Sequence, residues 1–144
     1  MDPISPDSQY IIYPPDGTKQ RANTLEAGAV REDRSKYRLF VDDERLEVFA
    51  NPGNETFEVI LTPNEYDLLR LLFERIGSSW TIEELHERIW GEAVFETLPI
   101  ERLRKLVQNI NKKTGGALKK SLRKQRDRIS VKIGMDACMI VREE

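Results

Sequence analysis

Soft metal ligands are almost absent from this chain, whose 144 residues include one cysteine, Cys138, and one histidine, His86. A lone cysteine forms no internal disulfide, and two soft ligands are too few for a zinc site. No metal and no redox chemistry are therefore expected. No glycine-rich loop is present to cradle a phosphate group and no nucleophile motif occurs, so no cofactor is expected either. The carboxylates fall at helix starts and on exposed faces rather than as a paired acid and base, which argues against an enzyme. Nowhere is there an uninterrupted apolar run of the roughly 18 residues that a membrane span requires. The opening stretch MDPISPDSQ lacks the basic start and apolar core of a signal peptide. The expected setting is the cytoplasm, with no membrane partner. Internal repeats and low-complexity blocks are missing as well.

What is present in abundance is charge, and it is unevenly placed. The formal net charge is −2, a value that by itself speaks against a nucleic-acid partner. Residues 1–98, however, hold 10 Lys and Arg against 20 Asp and Glu, whereas residues 99–144 hold 13 against 5. A basic segment of this kind signals an anionic partner for that part of the chain.

Along the chain, residues 1–36 are polar and proline-bearing and read as a largely flexible tail, within which only Tyr10–Tyr13 has the composition of an edge strand. One domain is expected over 37–144. Three short runs rich in β-branched and aromatic residues, 37–41, 45–49 and 56–60, are separated by Asp42-Asp43-Glu44 and Asn51-Pro52-Gly53-Asn54 and read as an antiparallel meander. In it Leu46 and Val48, and likewise Phe57 and Val59, are expected on the covered face. At Thr62-Pro63-Asn64-Glu65 the pattern turns helical, with Thr62 as cap, Glu65 closing the capping box and Pro63 in the first turn. Tyr66, Leu69, Leu72, Phe73 and Ile76 form its apolar stripe, and Gly77 can end it. A second helix is punctuated by Thr81, Glu84 and Gly91 and buries Ile82, Leu85, Ile89 and Trp90.

The third helix, 97–113, buries Leu103, Leu106, Val107 and Ile110 by the i, i+3, i+4, i+7 rule. Its opposite face carries Glu101, Arg104, Lys105, Gln108, Asn109 and Lys112, residue types that hydrogen-bond base edges or neutralise phosphates. Gly115-Gly116 closes this helix, and the basic run from Leu118 to Arg126 follows it. Runs 128–133 and 137–141 flank Gly134-Met135-Asp136, a hairpin signal. Lys119, Lys120, Arg123, Arg128 and Lys132 are expected to touch phosphate, since no aromatic residue is interleaved among them for base stacking. His86, Trp80, Trp90 and Cys138 read as structural residues.

That succession of three strands, three helices and a hairpin resembles the OmpR/PhoB-type winged helix-turn-helix effector domain over about residues 37–141. Leu61-Thr62-Pro63-Asn64-Glu65-Tyr66-Asp67-Leu68-Leu69 is similar to the family's L-T-P-x-E-[FY]-x-L-L start of its first helix. Leu85, Ile89, Trp90 and Gly91 match its L-x-x-x-[VI]-W-G ending, and Ile110-Asn111-Lys112-Lys113-Thr114-Gly115 is like its L-R-K-K-L-G close. The resemblance implies an α+β fold with an N-terminal antiparallel sheet, a recognition helix 97–113 in the DNA major groove and a wing 128–141 on the backbone or minor groove. It further implies double-stranded DNA as partner, a 91–96 loop facing RNA polymerase, and a homodimer on repeated half-sites. Arg104-Lys105-Leu106 and Gly134-Met135-Asp136-Ala137 depart from the family's usual residues. No βα repeat of a receiver domain precedes this region, so a stand-alone regulator or a fragment of a larger one is expected. A winged-helix protein-interaction module remains the alternative, and RNA binding a third reading.

Overall fold

The computed structural model describes residues 9–15, 18–53, 55–74, 80, 82–91, 100–121, 130–133 and 136–143. In chain order the elements are β1 (Tyr10–Tyr13), β2 (Gln20–Ala22), α1 (Thr24–Glu32), β3 (Leu39–Asp42), β4 (Glu47–Ala50) and β5 (Phe57–Glu58). There follow α2 (Pro63–Phe73), α3 (Ile82–Trp90), α4 (Ile100–Thr114), β6 (Leu118–Ser121), β7 (Ser130–Ile133) and β8 (Ala137–Arg142). They fall into two compact units, one of Met1–Ile60 with Met135–Glu144 and one of Leu61–Gly134.

The first unit is a six-stranded sheet in the order β2-β1-β8-β3-β4-β5. Every pairing is antiparallel except β3 with β8, where Leu39 to Asp42 run parallel to Ala137 to Ile140. A core of Tyr10, Ile12, Ala22, Phe40, Cys138 and Ile140 receives Ala27 of α1, with Val30, Tyr37 and Phe49 packed against it. Leu39, Val41, Val48, Ala50, Ala137 and Met139 alternate with the sheet members of this core and are buried too. Coverage of both faces is what a strand such as Leu39–Asp42, buried at every position, requires.

α1 has little apolar surface of its own, since only Ala27 is buried and Leu25 lies open to solvent. Its start is fixed by a reciprocal box in which Asn23 Oδ1 accepts the Glu26 N–H at 2.8 Å and the Asn23 N–H donates to the Glu26 carboxylate at 3.1 Å. Near its end Arg31 reaches the sheet. Its Nε donates to Asp42 Oδ2 at 2.6 Å and its Nη2 to Glu44 Oε1 at 2.9 Å. Tyr10 Oη donates to Glu44 at 3.0 Å, and Arg142 Nη1 reaches Glu44 Oε2 at 3.1 Å. One cluster of charge-assisted bonds thus ties together α1, β1, the β3–β4 turn and β8. Burial alone would raise the Glu44 pKa, but the hydrogen bonds from Tyr10, Arg31 and Arg142 hold it below its ordinary value.

Several expectations need correction here. Where a flexible tail was expected over 1–36, residues 10–36 include two strands and a helix, and β1 lies inside the sheet between β2 and β8 rather than at its edge. The 128–141 hairpin does not form, because both edges of β8 are taken by β1 and β3, while β7 pairs with β6. The sheet expected to be antiparallel is consequently mixed. Leu46 also departs from its expected place, being an exposed turn residue with φ +55° instead of a covered strand position.

The second unit carries three helices and the β6 and β7 strands. In α2, Thr62 Oγ1 accepts the Glu65 N–H at 3.3 Å and the Thr62 N–H donates to Glu65 Oε1 at 3.0 Å, with Pro63 at the first position. Leu68, Leu69, Leu72 and Phe73 are its buried face. Tyr66 is half-buried, and Ile76, Gly77 and Thr81 lie outside the described residues. α3 buries Leu85 and stops at Gly91, whose φ of +67° sits where an L side chain is strained. α4 buries Leu103, Val107, Ile110 and Thr114, with Leu106 half-buried. It ends with Gly115 at φ +73° and a bond from the Gly116 N–H to the Asn111 carbonyl at 2.8 Å, the closure of a left-handed helix cap. Thr114 Oγ1 accepts the Ala117 N–H at 3.2 Å and Asn111 Oδ1 the Leu118 N–H at 2.8 Å, which steers the chain into β6.

Candidate nucleic-acid interface

α4 is held by α2 and α3, both of which pack against it, and this fixes which of its faces is free. Lys105, Gln108 and Lys112, at i, i+3 and i+7, are exposed together along one line of the helix. Arg104 and Asn109 flank that line and are half-buried. Glu101 belongs to the same helix, its side chain lying outside the described residues. Thr97 and Pro99 lie outside them too, so the described helix starts at Ile100 and continues to Thr114.

Sequence reasoning missed two basic residues of α4. Arg102 is exposed, and its guanidinium lies 4.0 Å from the centroid of the Trp90 ring, a cation–π contact that joins α4 to α3. Helical spacing could have found it, since Arg102, Lys105, Asn109 and Lys112 recur at three and four residues. Lys113 points the other way. Its Nζ donates to Glu65 Oε1 at 2.6 Å, and Glu65 is only 2% exposed. Burial alone would raise the pKa of that carboxyl; the hydrogen bonds from Lys113, from the Thr62 N–H and from the Asn109 carboxamide outweigh it and hold the value low.

Beside α4, β6 and β7 form a two-stranded antiparallel ribbon. Its register sets Lys119 opposite Lys132 and Lys120 opposite Val131. Arg123 and Arg128 lie outside the described residues. Among the described residues no group of three or more His, Cys, Asp or Glu could hold a metal ion, and no helix is long and apolar enough to cross a membrane.

The family model described as "Transcriptional regulatory protein, C terminal" matches residues 55–118, from β5 to the start of β6. Over that stretch the chain is similar to OmpR/PhoB-type regulator domains. Its fold class is α+β of the winged-helix kind, with a mixed sheet and packed helices. Among solved structures, the DNA-binding domain of Bacillus subtilis CssR is 24% identical, with 66% of this chain and 98% of that one covered at a TM-score of 0.50. The DNA-binding domain of the response regulator AdeR, solved in complex with an intercistronic region, is 15% identical over 67% of this chain and 94% of that one, again at 0.50. At such identities these two similarities bear on the fold. A comparison with curated proteins returns no match. The matched stretch contains α2, α3 and α4, and the ribbon of 118–121 and 130–133 follows them in the chain.

Proposed function

We propose that this protein binds double-stranded DNA in a sequence-specific manner as a transcriptional regulator. The observation that carries the proposal is the line of Lys105, Gln108 and Lys112 exposed on the last helix of the stretch similar to OmpR/PhoB-type domains, next to a ribbon that sets Lys119 against Lys132. α4 enters the major groove. Gln108 supplies paired donor and acceptor groups for a base edge, Arg104 and Asn109 border it, and Glu101 and Lys112 lie toward the two ends. Lys119, Lys120 and Lys132 neutralise phosphates, together with Arg123 and Arg128 of the same basic segment. The protein acts by binding rather than by catalysis, in the cytoplasm. Contact of the 91–96 loop with RNA polymerase and pairing of two copies on repeated half-sites belong to the same reading and rest on the family resemblance.

Selection of bound duplexes from a random DNA pool, followed by anisotropy titrations of the winner at several salt concentrations, tests this. Affinity is expected to fall steeply and linearly on a log–log salt plot, because each neutralised phosphate releases counterions. Gln108→Ala should relax base preference, while Lys119→Ala should weaken binding to all sequences alike and reduce the slope by about 1. Salt-independent binding, or no shift of any duplex at low salt, refutes the proposal; retention of protein partners after nuclease treatment would then favour an interaction module.

A further inference from the structure

We propose that Glu65 is a positioning residue for base readout, which from the start of α2 grips Lys113 on α4 and so fixes which side chains that helix turns outward. The inference rests on the DNA-binding reading above. Glu65 Oε1 accepts a hydrogen bond from the Lys113 ammonium at 2.6 Å.

The carboxylate makes a stiff anchor. The oxygen that takes the Lys113 ammonium also closes the α2 cap through the Thr62 N–H, so it cannot swing away without undoing that cap. The contacts of Leu103, Val107 and Ile110 are apolar and non-directional, and they tolerate small rotations of the helix. Directional, charge-assisted bonds do not. Rotation of α4 by about 20° moves a group about 6 Å from its axis by about 2 Å, enough to break a hydrogen bond from Gln108 to a base. A second consequence concerns charge. The Lys113 ammonium is neutralised inside the unit and adds nothing to phosphate binding.

The test uses the full chain, the selected duplex and its single-base variants, with anisotropy titrations over a salt series. Glu65→Gln keeps a residue able to complete the capping box and removes the charge that holds Lys113. It is expected to shrink the affinity ratio between the selected site and a single-base variant by about fivefold or more. Lys113→Met should cause the same loss with the salt slope unchanged, and the double substitution should be no worse than either single one. If a single variant fails to fold by circular dichroism, the charge-balanced double variant decides. Discrimination at the wild-type ratio in the folded variants overturns the inference, as does a slope reduced by about 1 in Lys113→Met, the mark of a phosphate contact. A wild-type chain that shifts no duplex overturns the DNA-binding reading itself and this inference with it.

Discussion

Arg31→Met tests whether the charged cluster holds the helix α1 onto its sheet. The substitution keeps most of the aliphatic stem and deletes a guanidinium whose side chain is 12% exposed, beside Asp42 at 1%. Asp42 would lose bonds at 2.6 and 3.3 Å from Arg31 and keep, among the described residues, the Arg45 N–H at 3.2 Å, with the largely exposed Arg45 guanidinium 3.9 Å away. Breaking a buried pair by removing one partner costs roughly 3–5 kcal/mol, because the other charge stays buried and uncompensated. The surviving partners of Asp42 place the expectation near the lower end, about 3 kcal/mol, or a fall in Tm of roughly 10 °C. Urea unfolding followed by circular dichroism measures it. Arg31→Met with Asp42→Asn should recover at least half of the loss, since an asparagine side chain carries no charge and keeps an oxygen for the Arg45 N–H. A cost below about 1 kcal/mol for Arg31→Met, the range of a surface ion pair, refutes the reasoning, as does a double variant no better than the single one.

Glu44 and Glu65 both titrate below the ordinary 4.5, so near that pH the unfolded chain binds more protons than the folded one. Their contribution is complete above pH 4.5 and disappears as pH falls through the lowered folded values; urea midpoints measured from about pH 7 to about pH 3 should decline in that lower window, and a flat profile contradicts the assignment. Gly116 has φ +93° and open space around a would-be Cβ, so Gly116→Ala should cost about 1–2 kcal/mol from backbone strain alone; an unchanged melting curve would show that the closing turn does not need glycine. Thr62→Ala removes the acceptor of the Glu65 N–H and should lower stability by about 1 kcal/mol in the same urea assay, whereas a neutral result would mean that the cap adds nothing.

The helices of the second unit were legible because their signals are local. Thr62 with Glu65, the apolar spacing from Leu103 to Ile110 and the Gly115-Gly116 stop all lie within a few residues of the bonds they make. The exposed line of Lys105, Gln108 and Lys112 followed from the same spacing. The helix at Thr24–Glu32 was overlooked although Asn23 and Glu26 wrote its cap in the sequence, because Leu25, Ala27, Ala29 and Val30 form too thin a stripe to stand out. Its long-range hold is Arg31 on Asp42 and Glu44, which no periodicity records.

The sequence by itself determined where helices start and stop, which face of each is apolar, and that positive charge gathers after residue 98. These are matters of chain stereochemistry and of neighbours three or four residues apart. Only the tertiary structure decided which strand pairs with which and what each charge meets. Backbone N–H and C=O groups are alike in every strand, so the turn residues Gly134-Met135-Asp136 could suggest a hairpin while β8 bonded on its two edges to β1 and β3, about a hundred residues and more away in sequence. Lys112 and Lys113 are likewise the same residue type side by side; about 100° of helix rotation puts one in solvent and the other on the buried Glu65.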